Sequence, residues 1–321
     1  MGELAWRPVT EKDIPAWVEL LAAAERVDHT DEHFNEQDVA EDLAAPLFNR
    51  QRGTLAGFDG ETMAALGVAW VRNGADPVHR MVLNGTVHPA YRGRGLGTRL
   101  LEWGEAAARR LHDERFPGRP LELDLPCIST NTGASALFER RGYKPSRYFS
   151  DMRRRLNGEL PPTAPVEGFE FVAYRPELDA QALAVKNEAF KDHWGSSPSS
   201  AEQWHSAFAG SASFQPDLSF LAVHAGTLAV AGLIMAKHYE ADSAATGVRD
   251  AYIDIVGTLR EARRCGVASR LLAESMHAAR AAGFDTVSLG VDTQNPTGAV
   301  GVYERAGLSV KHTWINYSRA L

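Results

Sequence analysis

Two short loops carry the residues best suited to gripping an anion. One reads Arg92-Gly93-Arg94-Gly95-Leu96-Gly97 followed by Thr98; the other reads Arg263-Arg264-Cys265-Gly266-Val267-Ala268 followed by Ser269. Each lies between a β-rich run and an amphipathic helical run. Backbone N–H groups at such a helix start converge on one point, where the helix dipole also favours negative charge. Gly95 and Gly266 allow close approach of the backbone, and small Gly97 and Ala268 keep the turn open. Arg263 and Arg264 are expected to add charge-assisted bonds to a phosphate. One such loop alone fits equally well a glycine-containing turn with solvated arginines. Its duplication in the same position favours phosphate. No Gly-Lys-Ser/Thr follows, so neither is a Walker loop, and the glycine spacing is not that of a dinucleotide fingerprint.

Asp254 lies on the strand that enters the second loop. Alternation puts Tyr252, Asp254 and Val256 on one face. A carboxylate in so apolar a strand needs a task, such as taking a proton or positioning water, or else a structural partner. Counting back from the loops sets Leu83 opposite Asp254. Asp192, His193 and Trp194 end a helical run and could bind a cationic or sugar-like amine, the ring by stacking and the carboxylate by charge. The alternative is an aromatic lid with His193 solvated. His29 and His33 sit in an acidic stretch read as a solvated face, and no metal is expected.

The elements that must position these residues are repeated. After each loop comes an amphipathic helix, then a second matched pair: Asn131 to Leu137-Phe138-Glu-Arg-Arg-Gly142-Tyr143, and Asn295 to Val302-Tyr303-Glu-Arg-Ala-Gly307-Leu308. Two motifs recurring in one order indicate a tandem duplication. Residues 156–167, rich in proline and glycine, read as a linker between domains 1–155 and 168–321. In the second half, strands are expected at 169–173, 218–224, 228–239, 251–258, 285–291 and 309–318, with helices at 177–190, 199–208, 267–282 and 297–306. In the first, helices are expected at 13–24 and 96–111, and strands at 54–58, 63–71 and 81–87.

Bulk composition narrows the partners. At 321 residues the chain exceeds one small core. A formal net charge of −7 gives no support for nucleic acid, which calls for a basic surface. Two cysteines make no disulfide framework, and no apolar run is long enough to span a membrane. The amino terminus has no basic-then-apolar signal pattern, so a cytoplasmic location is expected. Composition does not set the oligomeric state.

Arg92, Gly95 and Gly97, their counterparts Arg263, Gly266 and Ala268, and the two asparagine-to-glycine segments resemble the GNAT superfamily of acyl-CoA-dependent N-acetyltransferases. The tandem layout is similar to that of mycothiol synthase and its actinobacterial relatives. The resemblance implies an α/β (α+β) fold of two domains, each a mixed, splayed, mainly antiparallel sheet flanked by helices. It implies that acetyl-CoA is held by the loops, with Val87, Thr258, Leu259 and Asn295 beside them and pantetheine between the central strands. It also assigns Tyr303 as the acid that protonates the leaving thiolate, Asp254 as base or water anchor, and a backbone N–H near Leu259 to the oxyanion. Phe138 occupies the first half's version of Tyr303, which implies that the first half is catalytically degenerate. Packing for Tyr303 and a turn or cap for Asn295 are the alternatives. The activity implied is acetyl transfer to a primary amine of a small molecule, such as an amino sugar, a mycothiol precursor or an antibiotic. A non-catalytic acyl-CoA sensor and a protein or peptide acetyltransferase are the other readings. Arg153, Arg154 and Arg155 read as a solvated strand end, with the coenzyme's 3′-phosphate as a weaker use.

Overall fold

Two runs, Thr62–Trp70 and Val230–Lys237, are apolar on both faces and buried along nearly their whole length. That pattern belongs to strands covered by helices on either side. The computed structural model describes residues 3–295 and 298–321, so the helix expected from 297 lies in part outside the described residues. The first elements are β1 (Ala5–Arg7), α1 (Ile14–Asp28), α2 (Glu36–Ala44), α3 (Arg50–Gly53), β2 (Thr54–Asp59), β3 (Thr62–Trp70) and β4 (His79–Val87). Then come α4 (Leu96–Arg115), β5 (Leu121–Ile128), α5 (Thr132–Arg140) and β6 (Lys144–Arg155). The rest are β7 (Phe169–Ala173), α6 (Asp179–Ala189), α7 (Ala201–Ala207), β8 (Phe220–His224), β9 (Val230–Lys237), α8 (Glu240–Thr246) and β10 (Asp250–Thr258). They are followed by α9 (Val267–Ala281), β11 (Thr286–Asp292), α10 (Ala299–Arg305) and β12 (Ser309–Ala320).

Two compact units form, residues 1–148 with 313–321, and residues 149–312. The first has strand order β1-β2-β3-β4-β5-β12, and the second β6-β11-β10-β9-β8-β7. Neither unit coincides with 1–155 or 168–321. The last strand of the chain pairs antiparallel with β5, from Trp314↔Ile128 to Ala320↔Glu122. In return Phe149–Arg155 of β6 pairs with β11 of the second unit. Each repeat thus gives its last strand to the other's sheet. The 156–167 segment forms neither helix nor strand but is packed: Leu156 and Leu160 are buried, and the carbonyls of Pro161 and Ala164 bond His277 and Arg270 of α9.

Within each unit the ladders are antiparallel except one. The β4–β5 pair is parallel from His79↔Leu121 to Val82↔Asp124, and the β10–β11 pair from Asp250↔Thr286 to Ile253↔Leu289. Parallel neighbours need a crossover, supplied here by α4 and α9. Leu101, Ala107, Ala108 and Leu111 of α4 pack on Met81, Leu83 and Leu123, while Trp17 and Leu20 of α1 cover Leu66 and Val68 on the other face. In the second unit Leu271, Leu272 and Met276 of α9 pack on Ile234, Ile253 and Leu289, and Val185, Trp204 and Phe208 cover Leu221, Leu233 and Met235. Helices α2, α3 and α8 lie outside the sequence expectations. The first starts in a capping box between Asn35 and Asp38 but buries only Val39, too little for apolar periodicity to show.

The first strand is tied to α1 by a paired contact from Arg7 to both carboxylate oxygens of Asp13, at 2.6 and 2.7 Å. The Arg7 guanidinium holds the Asp13 carboxyl down at about 2. A depressed carboxyl contributes stability that is present above its ordinary value near 3.8 and is lost as pH falls through about 2. Asp13→Asn is therefore expected to cost about 2 kcal/mol at neutral pH and almost nothing at pH 2. Urea titrations at both pH values check this; an equal cost at both would contradict it.

Candidate active site

The two anion loops have the same backbone. Arg92 and Arg263 are extended, Gly93 (φ 74°) and Arg264 (φ 62°) are left-handed, and Gly95 (φ 79°) and Gly266 (φ 91°) are left-handed N-caps of α4 and α9. Successive left-handed turns before a helix gather N–H groups into a concave nest suited to phosphate oxygens. The helix adds the unpaired N–H groups of its first turn, from Leu96, Gly97 and Thr98 or from Val267, Ala268 and Ser269. A Cβ on Gly95 would meet nothing within 4 Å, so the nest lies open. The residues present fit a diphosphate.

The arginine side chains do something else. Arg92 Nε donates to the Val87 carbonyl (3.1 Å) and its guanidinium clasps Asp28 through both terminal nitrogens. Arg263 Nε likewise donates to the Thr258 carbonyl (3.3 Å), and Nη2 to the Ala189 carbonyl. Both arginines brace the end of the splayed strand against the first helical layer. Arg263, expected to reach a phosphate, here bonds two main-chain carbonyls. Arg94 turns back to the Ala90 carbonyl, and exposed Cys265 sits at the loop tip with Sγ near the Arg263 carbonyl.

Beyond the parallel ladders the strands part. In the first unit the wedge opens into a cavity of about 690 Å³, lined by Leu83 to Val87 on one side and Leu125 to Ile128 on the other. Arg92, Gly93, Gly95, Leu96, Gly97, Thr98 and Phe138 also line it. In the second unit β10 and β11 part after Ile253↔Leu289. Here the Leu259 N–H donates to the Ala231 carbonyl at 2.8 Å, as His88 does to Ala64 at 2.9 Å. Leu259 is therefore committed to β9 and cannot serve an oxyanion. N–H direction alternates along a strand, so Val256 and Thr258 point theirs into the wedge instead.

Tyr303 lies on α10 where Phe138 lies on α5. Both carbonyls accept from the residue after a left-handed glycine, Leu308 N–H to Tyr303 and Tyr143 N–H to Phe138, each at 3.0 Å. Phe138 lines the first wedge, and Tyr303 is its counterpart in the helix-end geometry of the second unit. It is 8% exposed, and burial pushes its phenol up to about 12. Tyr303 therefore keeps its proton throughout the physiological range.

Asp254 occupies a β-bulge. The β10–β9 register passes from Ile253↔Ala236 to Ile255↔Met235, leaving Asp254 as the extra residue. The β4–β3 ladder is unbroken, and Leu83↔Ala69 corresponds to Ile253↔Ala236. So Leu83 is not the counterpart of Asp254, which has none in the first unit. A bulge re-aims a side chain toward a site. Asp254 meets Lys237 Nζ at 3.2 Å, and Lys237 lies over the Phe208 ring. Lys237 was not anticipated from sequence.

Gly290, exposed in the middle of β11, was also missed, although glycine inside a strand is a known sign of close approach. A Cβ there would lie 3.4 Å from Tyr252 Oη and 3.6 Å from Asp151 Oδ1. Asp151 arrives on the exchanged strand β6, which sequence reasoning had assigned to the other half. Asp192 forms an exposed ion pair with Arg260 (2.7 Å), His193 packs on Phe190, and Trp194 lies 6.2 Å from Phe149. Asn131 caps α5, accepting from Ala134 N–H at 3.1 Å. Asn295 accepts from the Gly298 N–H through its carbonyl, a turn role.

A model of the acetyltransferase (GNAT) family matches residues 182–308, and one of the acetyltransferase (GNAT) domain matches residues 54–145. A mycothiol acetyltransferase from Thermobispora bispora is 31% identical over 267 residues, covering 78% of this chain and 78% of that protein. A GCN5-related N-acetyltransferase from Sphaerobacter thermophilus superposes with TM-score 0.77 at 26% identity, covering 99% of this chain and 95% of that one. A tandem GNAT protein from the clavulanic acid biosynthesis pathway superposes with TM-score 0.73 at 15% identity, covering 99% and 98%, a likeness of fold. No helix among the described residues is long and apolar enough to cross a membrane.

Proposed function

The chain belongs to the GNAT acetyltransferase family, and from that premise we propose that its second unit acetylates a primary amine on a small molecule. The observation that carries this reading is a protonated, buried phenol, Tyr303, in the unit that also holds a splayed strand pair and an anion nest. Acetyl-CoA supplies the acyl group as a thioester. The nest from Arg263 to Ser269 would hold its diphosphate, and the edge of β10 toward the wedge would hold its arm. Val256 and Thr258 N–H groups face negative charge that develops on the acyl oxygen, a role worth several kcal/mol in a water-poor site. Tyr303 Oη gives its proton to the departing sulfur. Burial raises the basicity of that sulfur just as it raises the phenol, which keeps the transfer feasible.

The acceptor would lie over Gly290, between the Asp151 carboxylate and Tyr252 hydroxyl, with Asp254 at its edge. Two carboxylates and a phenol suit an ammonium flanked by hydroxyls, and Asp254 takes the proton that makes the amine nucleophilic. Lys237 holds Asp254 in place. The name of the Thermobispora relative supports an amine on a thiol-bearing amino sugar as the first class to try. The first unit keeps the nest and wedge but has Phe138 and no bulge, so it would bind acyl-CoA without turning it over.

A panel of amino sugars, cysteinyl amino sugars and aminoglycosides, assayed by thiol release with acetyl-CoA, tests the reading. Acetylation of at least one class is expected, with one thiol released per amide formed. Bound acetyl-CoA with no release for any amine would overturn it.

A further inference from the structure

Several differences between the two units run in one direction, although Asn84 stands in the first where Ile255 stands in the second. Along β3 and β9, Trp70 stands where Lys237 stands; along β4 and β10, Val82 stands where Tyr252 does; and Phe138 replaces Tyr303. Pro126 takes the place of Gly290, and the bulge that carries Asp254 is absent. Lys237, Tyr252 and Tyr303 around the second wedge have apolar counterparts in the first and Asp254 has none, while Asp151 is matched by Asn316. A site that had merely lost catalysis would need to lose only one of them.

The space follows the same trend. The cavity of about 690 Å³ runs from the anion loop through the wedge to the face covered by α1, where Trp17, Leu21, Phe34, Leu66, Val68 and Trp70 line it. In the second unit the corresponding face is filled by Trp204 and Phe208, each 2% exposed, against Leu233 and Met235. Four carboxylates also line the first cavity, Glu25, Asp28, Glu32 and Asp42; Asp28 is clasped by Arg92, and Glu25 is bonded to the backbone of Thr30 and Asp31. The charges of Asp28 and Glu25 serve the fold.

We infer that the first unit is a binding site for acyl-CoA whose acyl chain is longer than acetyl, the coenzyme held by the Arg92–Thr98 loop and the chain seated in the apolar chamber. This rests on the reading above that the first unit holds acyl-CoA without turnover. Its chemistry is recognition of a thioester-linked alkyl chain, so the site would report acyl-chain supply to a chain whose other unit transfers acetyl groups.

Calorimetric titration of the full chain with CoA and with acetyl-, butanoyl-, hexanoyl- and octanoyl-CoA tests it. One of two sites should tighten by roughly four-fold per added methylene, the step for one buried methylene, until the chamber is full. Ala24→Leu, which narrows the chamber from α1, should reduce that preference several-fold while leaving CoA itself unaffected. Should that variant fold poorly, Val68→Ile serves in its place. Equal or weaker binding of the longer chains at both sites, or a single site for every ligand, would overturn the inference. Acetyl transfer to amines is measured separately, and its failure would count against the second unit's assignment alone.

Discussion

Tyr303→Phe is expected to lower kcat by roughly 10²- to 10⁴-fold, the usual worth of a positioned general acid. The acetyl-CoA dissociation constant should stay within about two-fold, since the deleted oxygen is asked to interact only as charge develops on sulfur. Loss of a hydroxyl from a packed ring leaves Phe138-like geometry, which the first unit already accommodates on the matching helix α5. The phenol's high value makes a further distinction. A group raised above its unfolded value contributes stability that is whole below about 10 and lost as pH rises through about 12. Wild-type stability should thus fall across that alkaline window more steeply than the variant's, whereas below pH 9 the two should track each other. Tyr303 places no limb on the rate profile near neutrality; any acid limb there belongs to the acceptor amine or to a carboxylate. A variant with undiminished kcat would remove Tyr303 as the acid.

The loops were legible in sequence because their glycines answer a local demand, a left-handed backbone before a helix, which no partner elsewhere in the chain can alter. The matched helix ends of Tyr303 and Phe138 were legible for a similar reason: each helix ends in a left-handed glycine, and the two segments could be set side by side. Other features depended on contacts that local pattern does not encode. The bulge at Asp254 adds a residue to β10 that a count back from the loop absorbs silently, and only the ladder to β9 shows which residue is extra. The strand exchange is likewise a matter of pairing. Repeats of equal content describe either arrangement, and Asp151 reaches Gly290 only in the exchanged one. Arg92 and Arg263 looked like phosphate ligands because they flank the nest. Strand carbonyls at a splay have lost their neighbour, however, and an adjacent guanidinium satisfies them at little cost in chain entropy.

Gly266→Val should weaken acetyl-CoA binding to the second unit by on the order of ten- to a hundred-fold. The reason is conformational before it is steric. Gly266 has φ 91°, and a Cβ there would find Val166 Cγ2 no closer than 3.8 Å, so the protein itself leaves room. A β-branched residue nevertheless strains at that φ by about 1 to 3 kcal/mol, and the loop can relieve this only by rotating the amides that form the nest. If the strain is borne instead, the isopropyl group projects into the space meant for phosphate oxygens. Both routes raise the dissociation constant, and KM should rise with it. Gly95→Val, the same change at φ 79° in the first unit, is the matched control. It should abolish one binding site in a titration while leaving turnover of amines unaltered, because the catalytic phenol and its nest lie in the other unit. An unchanged dissociation constant in Gly266→Val, in a variant shown to be folded, would mean that the diphosphate is held somewhere other than by the main chain of this loop.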